Sequence, residues 1–318
     1  MGHIRKRESE RVSQDLPSAT GGQDASGHPK DGLPNAKTPL FEANHADRYQ
    51  RRDLIRDIQE QTGRTLVCYV SGSRCRIDEN DTMPFVDLLH RAPANHDVDL
   101  LLHTRGGSVD AAEKLMGMLR RHVGPRQLRV IVPDFAKSAG TLMVLGADSV
   151  LMSDMSELGP IDPQIGLRGD WLAVQNYLDA FTTHAQTLET SPDNVAAQIM
   201  LKKLDPATRE LCEAAVNRAR QAAETLLKRG MFHGSGNRSL TVSELLDTTR
   251  WRSHGQMISW EDARDHPIAL RVEYRAYRSE EWQRYWRLYC LQRLAVGDRQ
   301  KLYESDYASL VLGPADGE

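Results

Sequence analysis

Between residues 65 and 152 the chain repeats one pattern: a short apolar run, a turn, and then apolar positions at helical spacing. The runs 65–70, 98–103, 128–133 and 149–152 have strand length, and the segments 81–89, 111–121 and 139–145 between them read as helices. Strands alternating with helices predict an α/β fold around a largely parallel sheet. Ligands of such sheets bind at the carboxyl ends of the strands. Two turns rich in glycine and serine fall at such ends, one at 103–108 and one at 135–141.

Around this series the signals are more local. A helix over 43–61, carried by Leu54, Ile55 and Ile58 and stopped near Gly63, precedes the first strand. From 166 to 203 the pattern is helical but diffuse. A clearer helix starts at Asp205 as N-cap with Pro206 in its first turn, and stops at Gly230. Thr241 and Glu244 have the spacing of a capping box for a short helix to Leu246, 258–263 turns into another helix, and 268–272 is expected as a last strand. Trp282, Tyr285, Trp286 and Tyr289 form one helical stripe, suited to packing on the body or on a sister subunit. Residues 1–38 hold almost no large apolar side chain and are expected as a disordered tail. The expected organisation is that tail, an α/β domain at 39–272, and a C-terminal helical extension at 273–318.

Several function classes fall away on composition. With 41 Lys and Arg against 44 Asp and Glu the net charge is -3, so there is no global basic field and no nucleic-acid partner is expected. The four cysteines, Cys68, Cys75, Cys212 and Cys290, form no C-x-x-C pair and no histidine stands at ligand spacing beside them; neither metal nor other cofactor is expected. No apolar run approaches the ~18 residues of a membrane span and no secretory h-region follows the basic N-terminus. A cytoplasmic protein with reduced thiols is the expectation. Walker spacing and G-x-G-x-x-G are both missing, which removes the commonest nucleotide sites.

The turn at 135–141 places Ser138 between a buried strand and a helix start, where a hydroxyl is presented outward beside free backbone N–H groups. A serine there serves equally well as a helix cap. The turn at 103–108 adds Gly106 and Gly107, where backbone can approach a substrate closely. The N–H groups of Gly107 and Ala139 could together form an oxyanion hole, although a lone Gly-Gly turn fits a phosphate loop as well.

Three ordered segments, DLLLHTRGGSVDAAEK at 99–114, VIVPDFAKSAGTLM at 130–143 and SELGPIDPQ at 156–164, resemble the serine dehydrogenase proteinase family, a branch of the Clp-protease and signal-peptide-peptidase-A superfamily. PLFEANHADRY at 39–49 resembles that family's entry segment, so the likeness runs over 39–272. The resemblance implies a ClpP/crotonase-like fold of repeated β-β-α units, Ser138 as nucleophile, an oxyanion hole at Gly107 and Ala139, and a homo-oligomer. It differs at one place: Arg105 stands where the family usually has a proline before the two glycines. Arg105 lifts a φ restraint and adds a charge at the presumed cleft, so Gly106 and Arg105 are expected on the substrate path.

A nucleophilic serine needs a base, and the sequence does not announce one. In the signal-peptide-peptidase relatives a downstream lysine serves, but none occurs here between Lys137 and Lys202. The Clp subunit uses a histidine in a region that here carries Asp162, and its aspartate precedes a turn-and-helix segment resembling 257–263, which brings His254 to that place. The expectation is a permuted arrangement, Ser138 with His254 as base and Asp162 as the acid that fixes its tautomer. His254 also reads as an ordinary surface histidine. Lys137 and Lys202 stay open as alternative bases, each requiring desolvation, and the Lys137 side chain is expected to point away from its neighbour Ser138. His103 and His184 stay open on rough geometry alone.

The leading expectation is therefore a serine peptidase acting through an acyl-enzyme on Ser138, with peptides as substrates and any ATPase supplied by a separate partner. A crotonase-type acyl-CoA enzyme shares the fold and the two-glycine logic, but it usually relies on carboxylates where Ser138 stands. A catalytically inactive oligomeric scaffold is the third reading, motivated by Arg105 and the unannounced base. Fold alone does not separate the three.

Overall fold

The computed structural model describes residues 38–167, 170–234 and 236–313. The expected disordered tail at 1–38 lies outside them apart from its last residue. The chain divides into one unit ending at His45 and another running from Ala46. The first contains α1 (Pro39–Asn44), capped by the Thr38 hydroxyl.

The second unit opens with α2 (Ala46–Thr62), β1 (Thr65–Ser71) and α3 (Thr82–His90), then continues through β2 (Val98–His103), α4 (Val109–Val123), β3 (Leu128–Ile131), β4 (Phe135–Ala136), α5 (Ala139–Leu145) and β5 (Ser149–Met152). Next come β6 (Glu157–Leu158), β7 (Gln164–Leu167), β8 (Asp170–Ala173), α6 (Val174–Thr190), α7 (Val195–Lys202), α8 (Pro206–Arg229) and α9 (Arg238–Leu246). The chain closes with α10 (Trp260–Arg264), β9 (Val272–Tyr274), α11 (Glu280–Ala295), β10 (Lys301–Glu304) and β11 (Ser309–Leu312).

The main sheet has seven strands in the order β11-β10-β1-β2-β3-β5-β9. Its five members from β1 to β9 are parallel, while β10 and β11 join antiparallel at the β1 edge. Both faces are covered, which is why the inner strands read as nearly continuous apolar runs. Side chains alternate between two cores. Val67, Tyr69, Leu100, Leu102 and Val130 enter one; Leu66, Cys68, Leu101 and Ile131 enter the other with Ile55 and Ile58 of α2 and Trp282 and Tyr285 of α11. The aromatic stripe of α11 thus packs on the body of its own chain.

A short second layer stands at the carboxyl end of the sheet. β4 pairs with β6 in parallel, and isolated bridges join Ile77 to Gly107, Thr104 to Ala136 and Leu158 to Ile258. A sheet strand, a short extended stretch and a helix recur at β2 with α4 and at β3–β4 with α5, which is the β-β-α repeat expected from the sequence.

Four local expectations change. Among the described residues, 273–313 is not a purely helical extension: after α11 it returns as β10 and β11 and completes the sheet, with Leu302 entering one core and Tyr303 the other. Thr241 does not cap a helix; Asn237 caps α9, and the buried Thr241 hydroxyl donates to the Ile268 carbonyl at 2.8 Å. The diffuse segment 166–203 begins within a hairpin, β7–β8, before its two helices, and the last parallel strand lies at β9, a little beyond 268–272.

The new edge is fixed by charge as well as by pairing. Glu304 of β10 is 1% exposed and takes Arg51 Nη2 of α2 at 2.9 Å, with Gln292 Nε2 and Ser309 Oγ completing its shell. Removing one member of a desolvated pair leaves the other charge buried without compensation. Arg51→Met should cost about 3–5 kcal/mol in urea unfolding; a loss within about 0.5 kcal/mol, typical of surface substitutions, would contradict a desolvated pair.

Candidate active site

Ser138 follows β4 and occupies the N-cap position of α5 with φ 53° and ψ -117°, a positive φ that side-chain-bearing residues adopt at a cost. Its hydroxyl makes no capping bond, so the helix-cap reading does not hold. The turn is held from both sides: Thr104 N donates to Phe135 O at 3.1 Å, Lys137 N donates to Thr104 O at 3.0 Å, and the buried Thr141 hydroxyl lies within hydrogen-bond reach of Ala136 O and Gly159 O, at 2.9 and 2.8 Å.

Those bonds bring the glycine turn against the serine turn. A Cβ on Gly106 would stand 2.8 Å from Ser138 Cβ and 2.9 Å from Ala139 N; one on Gly107 would stand 2.2 Å from Ile77 O. Both glycines have positive φ, 94° and 152°. Contact and conformation together explain why neither position tolerates a side chain. Ile77 N donates to Gly106 O and Ser108 N donates to Ile77 O, both at 2.8 Å. The N–H groups of Gly107 and Ala139 find no acceptor among the described residues; Ala139 follows the serine, and Gly107 follows the glycine that abuts it.

His254 lies on the loop between α9 and α10, with its Nδ1 2.8 Å from Asp162 Oδ1. Asp162 is 4% exposed, and its other oxygen accepts from Gln164 Nε2 at 2.7 Å. A carboxylate on Nδ1 makes that nitrogen the donor and leaves Nε2 as the basic one. The antiparallel pair Leu158–Ile258, with N–O distances of 3.0 and 3.1 Å, sets the segment leading to Asp162 beside the one leaving His254. No hydrogen bond joins Ser138 Oγ to His254 among the described residues; such bonds often tighten only when substrate is bound. A cavity of about 340 Å³ borders Asp162, lined also by Gln175, Arg220, Ser243 and Asp247, and does not reach Ser138.

The other candidates separate clearly. Lys137 directs Nζ at the Glu157 carboxylate, Leu158 O at 3.1 Å, and Gly255 O and Gln256 O at 3.4 Å. Every one of these neighbours is an acceptor, so the group is held as a donor. Lys202 is exposed at the end of α7, and His184 lies on α6, a helix that packs on α7 and α8. Arg105 is exposed, with its guanidinium 5.9 Å from the Phe135 ring centre. His103 is buried behind the glycine turn, its Nδ1 3.1 Å from the Tyr289 hydroxyl, which donates to Asp134 Oδ2 at 2.7 Å. Gln164 and Glu157 escaped the sequence reading, because neither stands at a spacing that marks it.

A strained serine beside a two-glycine turn at the carboxyl end of a largely parallel sheet defines the class of ClpP-like serine hydrolases. The chain belongs to the ClpP-like SDH-type serine proteinases, whose family model matches residues 44–274. Among curated proteins it is similar to two uncharacterised proteins of Methanocaldococcus jannaschii. It shares 42% identity with MJ0137 over 86 residues, 27% of this chain and 29% of that protein, and 29% identity with MJ1495 over 127 residues, 37% and 43% respectively. The chain thus spans less than half the length of either relative. Among solved structures a mutant of the 1510-N membrane-bound stomatin-specific protease, in complex with a substrate peptide, is 13% identical with a TM-score of 0.30, covering 72% of this chain and 98% of that one. A likeness so slight carries no argument about the site.

Burial, with Arg293 and Arg105 nearby, pushes the His103 imidazole down to about 3. The folded protein therefore keeps His103 neutral while the unfolded chain takes up a proton near pH 6.5. Its contribution to stability is complete above that pH and is lost as pH falls toward 3, by at most about 1.4 kcal/mol per pH unit. Unfolding free energies of wild type and His103→Asn should converge as the pH is lowered through this window; parallel curves would show that the residue does not titrate on unfolding.

Proposed function

We propose that the protein is a serine peptidase that cleaves peptide bonds through an acyl-enzyme on Ser138. His254 Nε2 takes the proton of the Ser138 hydroxyl as Oγ adds to the substrate carbonyl, and Asp162 holds Nδ1 and stabilises the imidazolium. The carbonyl oxygen becomes an oxyanion between the N–H groups of Gly107 and Ala139. The C–N bond then breaks as His254 returns its proton to the leaving amine. Water adds to the acyl carbon, gives its proton to His254, and releases the acid as that proton goes back to Ser138 Oγ.

The observation that carries this reading is the Ser138 turn itself, a positive φ spent on a hydroxyl that does no structural work. Strain of this kind persists only when the surroundings impose it, and it clusters at reactive sites. Family membership supports peptides as the substrate class. Gly106 and Arg105 would lie along the bound peptide, where the Arg105 cation gives the cleft mouth a preference between acidic and basic side chains.

A fluorophosphonate probe followed by intact-mass analysis tests the proposal. Wild type should gain one adduct that Ser138→Ala lacks. His254→Ala should label about 100-fold or more slowly, and Gly107→Ala about 100-fold more slowly because its methyl displaces the donor turn. Absence of any wild-type adduct, with the fold intact by circular dichroism, would remove the peptidase reading.

A further inference from the structure

The Lys137 side chain does not run into solvent, although it follows a strand and precedes the half-buried Ser138. Its stem lies along Gly159, where an added Cβ would stand 2.6 Å from Lys137 Cδ and 3.4 Å from both Cα and Cβ. A glycine at 159 is thus what lets the stem pass. Beyond it the ammonium sits between two chain segments. Glu157 and Leu158 O belong to β6, and Gly255 O and Gln256 O to the loop that carries His254. The side chain is 13% exposed.

β4 pairs with β6 and Leu158 pairs with Ile258, so Ser138, Asp162 and His254 all hang from the ends of one small layer. The backbone pairing fixes the layer's middle. Between Gln256 and His254, however, the loop leaves it, and its internal ties there are local: Gln256 N to Ser253 O at 2.9 Å and Arg252 N to Gln256 Oε1 at 3.0 Å. The ammonium of the residue next to Ser138 is what bonds that loop to the serine's own strand.

We infer that Lys137 is a positioning residue, a clamp that sets the His254 loop against the Ser138 turn through Gly255 and Gln256, with Glu157 fixing the ammonium. This rests on the reading of His254 as the base of Ser138. An alternative in which Lys137 takes the proton would need a free amine; here the nitrogen has a carboxylate and three carbonyls around it, and no acid to donate to it.

Fluorophosphonate labelling rates across about pH 5 to pH 9 separate the possibilities, measured on wild type, Lys137→Met, Lys137→Arg, Glu157→Gln and His254→Ala with melting recorded for each. The clamp predicts that Lys137→Met labels about 100-fold more slowly and Lys137→Arg recovers most of the loss, because a guanidinium also reaches carbonyls and a carboxylate. Lys137→Arg should keep the wild-type pH midpoint, since the base is unchanged. Wild-type rates in Lys137→Met, with His254→Ala inactive, would overturn the clamp and leave the Ser138–His254 reading standing. Equal inactivity of Lys137→Arg and Lys137→Met, with His254→Ala labelling normally, would make Lys137 the base and overturn both. Should Lys137→Met fail to fold, Glu157→Gln decides: a folded variant slowed about 10-fold supports the clamp, and one labelling at the wild-type rate overturns it.

Discussion

Parallel pairing of Thr104 with Ala136 holds the candidate site together. Two bonds, Thr104 N to Phe135 O and Lys137 N to Thr104 O, fasten the turn after β2 to the turn after β3. The close approach leaves no room for a side chain at the glycines of the junction, and the consequence spreads outward. Gly106 must be bare where it meets Ser138, and Gly140 must be bare where a Cβ would stand 2.6 Å from Thr104 Cγ2. The helix that follows is buried at every residue, so apolar packing and the Thr141 hydroxyl together anchor it. A positive φ at a residue with a side chain costs on the order of 1–3 kcal/mol. Burial of Leu142 and Leu145, at about 1.5–3 kcal/mol for each such side chain, is large enough to offset it.

Much of this frame was legible in the residues. The strand 98–103 and the helix 139–145 are found at the expected bounds, because apolar runs ended by glycine leave little choice of element. The α8 helix follows its Asp205 cap and Gly230 stop for the same local reason. What the sequence hid depends on distant partners. β10 is four residues of mixed character, LYE following a lysine, and becomes a strand only because β1 offers an edge and Arg51 an ion pair for Glu304. Thr241 and Glu244 carry a capping spacing that tertiary structure overrides, since the Thr241 hydroxyl is buried against Ile268.

The site was legible to a different depth at each residue. Ser138 and the two glycines are marked by their place between strand and helix. His254 and Asp162 stand 92 residues apart, and nothing local pairs them; only the resemblance suggested it, and the structure puts them 2.8 Å apart. At Lys137 a local argument reaches only part of the geometry. Its side chain is expected to point away from its neighbour Ser138; the stem runs along Gly159 to the Glu157 carboxylate and the carbonyls of Gly255 and Gln256. What lies on the other face is the loop of His254, a fact of topology that no spacing encodes.

The same topology bears on Arg105. A proline there would lock φ just ahead of two glycines already held by Ile77 and by the serine turn, whereas arginine leaves that restraint to the hydrogen bonds alone. Those bonds are sufficient: Gly106 N donates to Thr104 Oγ1 at 3.1 Å, and Ile77 closes the far side. The turn therefore keeps its shape without proline, and the residue in front of it is free to carry a charge. Its guanidinium lies 5.9 Å from the Phe135 ring centre, and its charge helps keep the buried His103 neutral. A substitution at 105 therefore leaves the positions of Gly106 and Ser138 to the backbone bonds between the two turns.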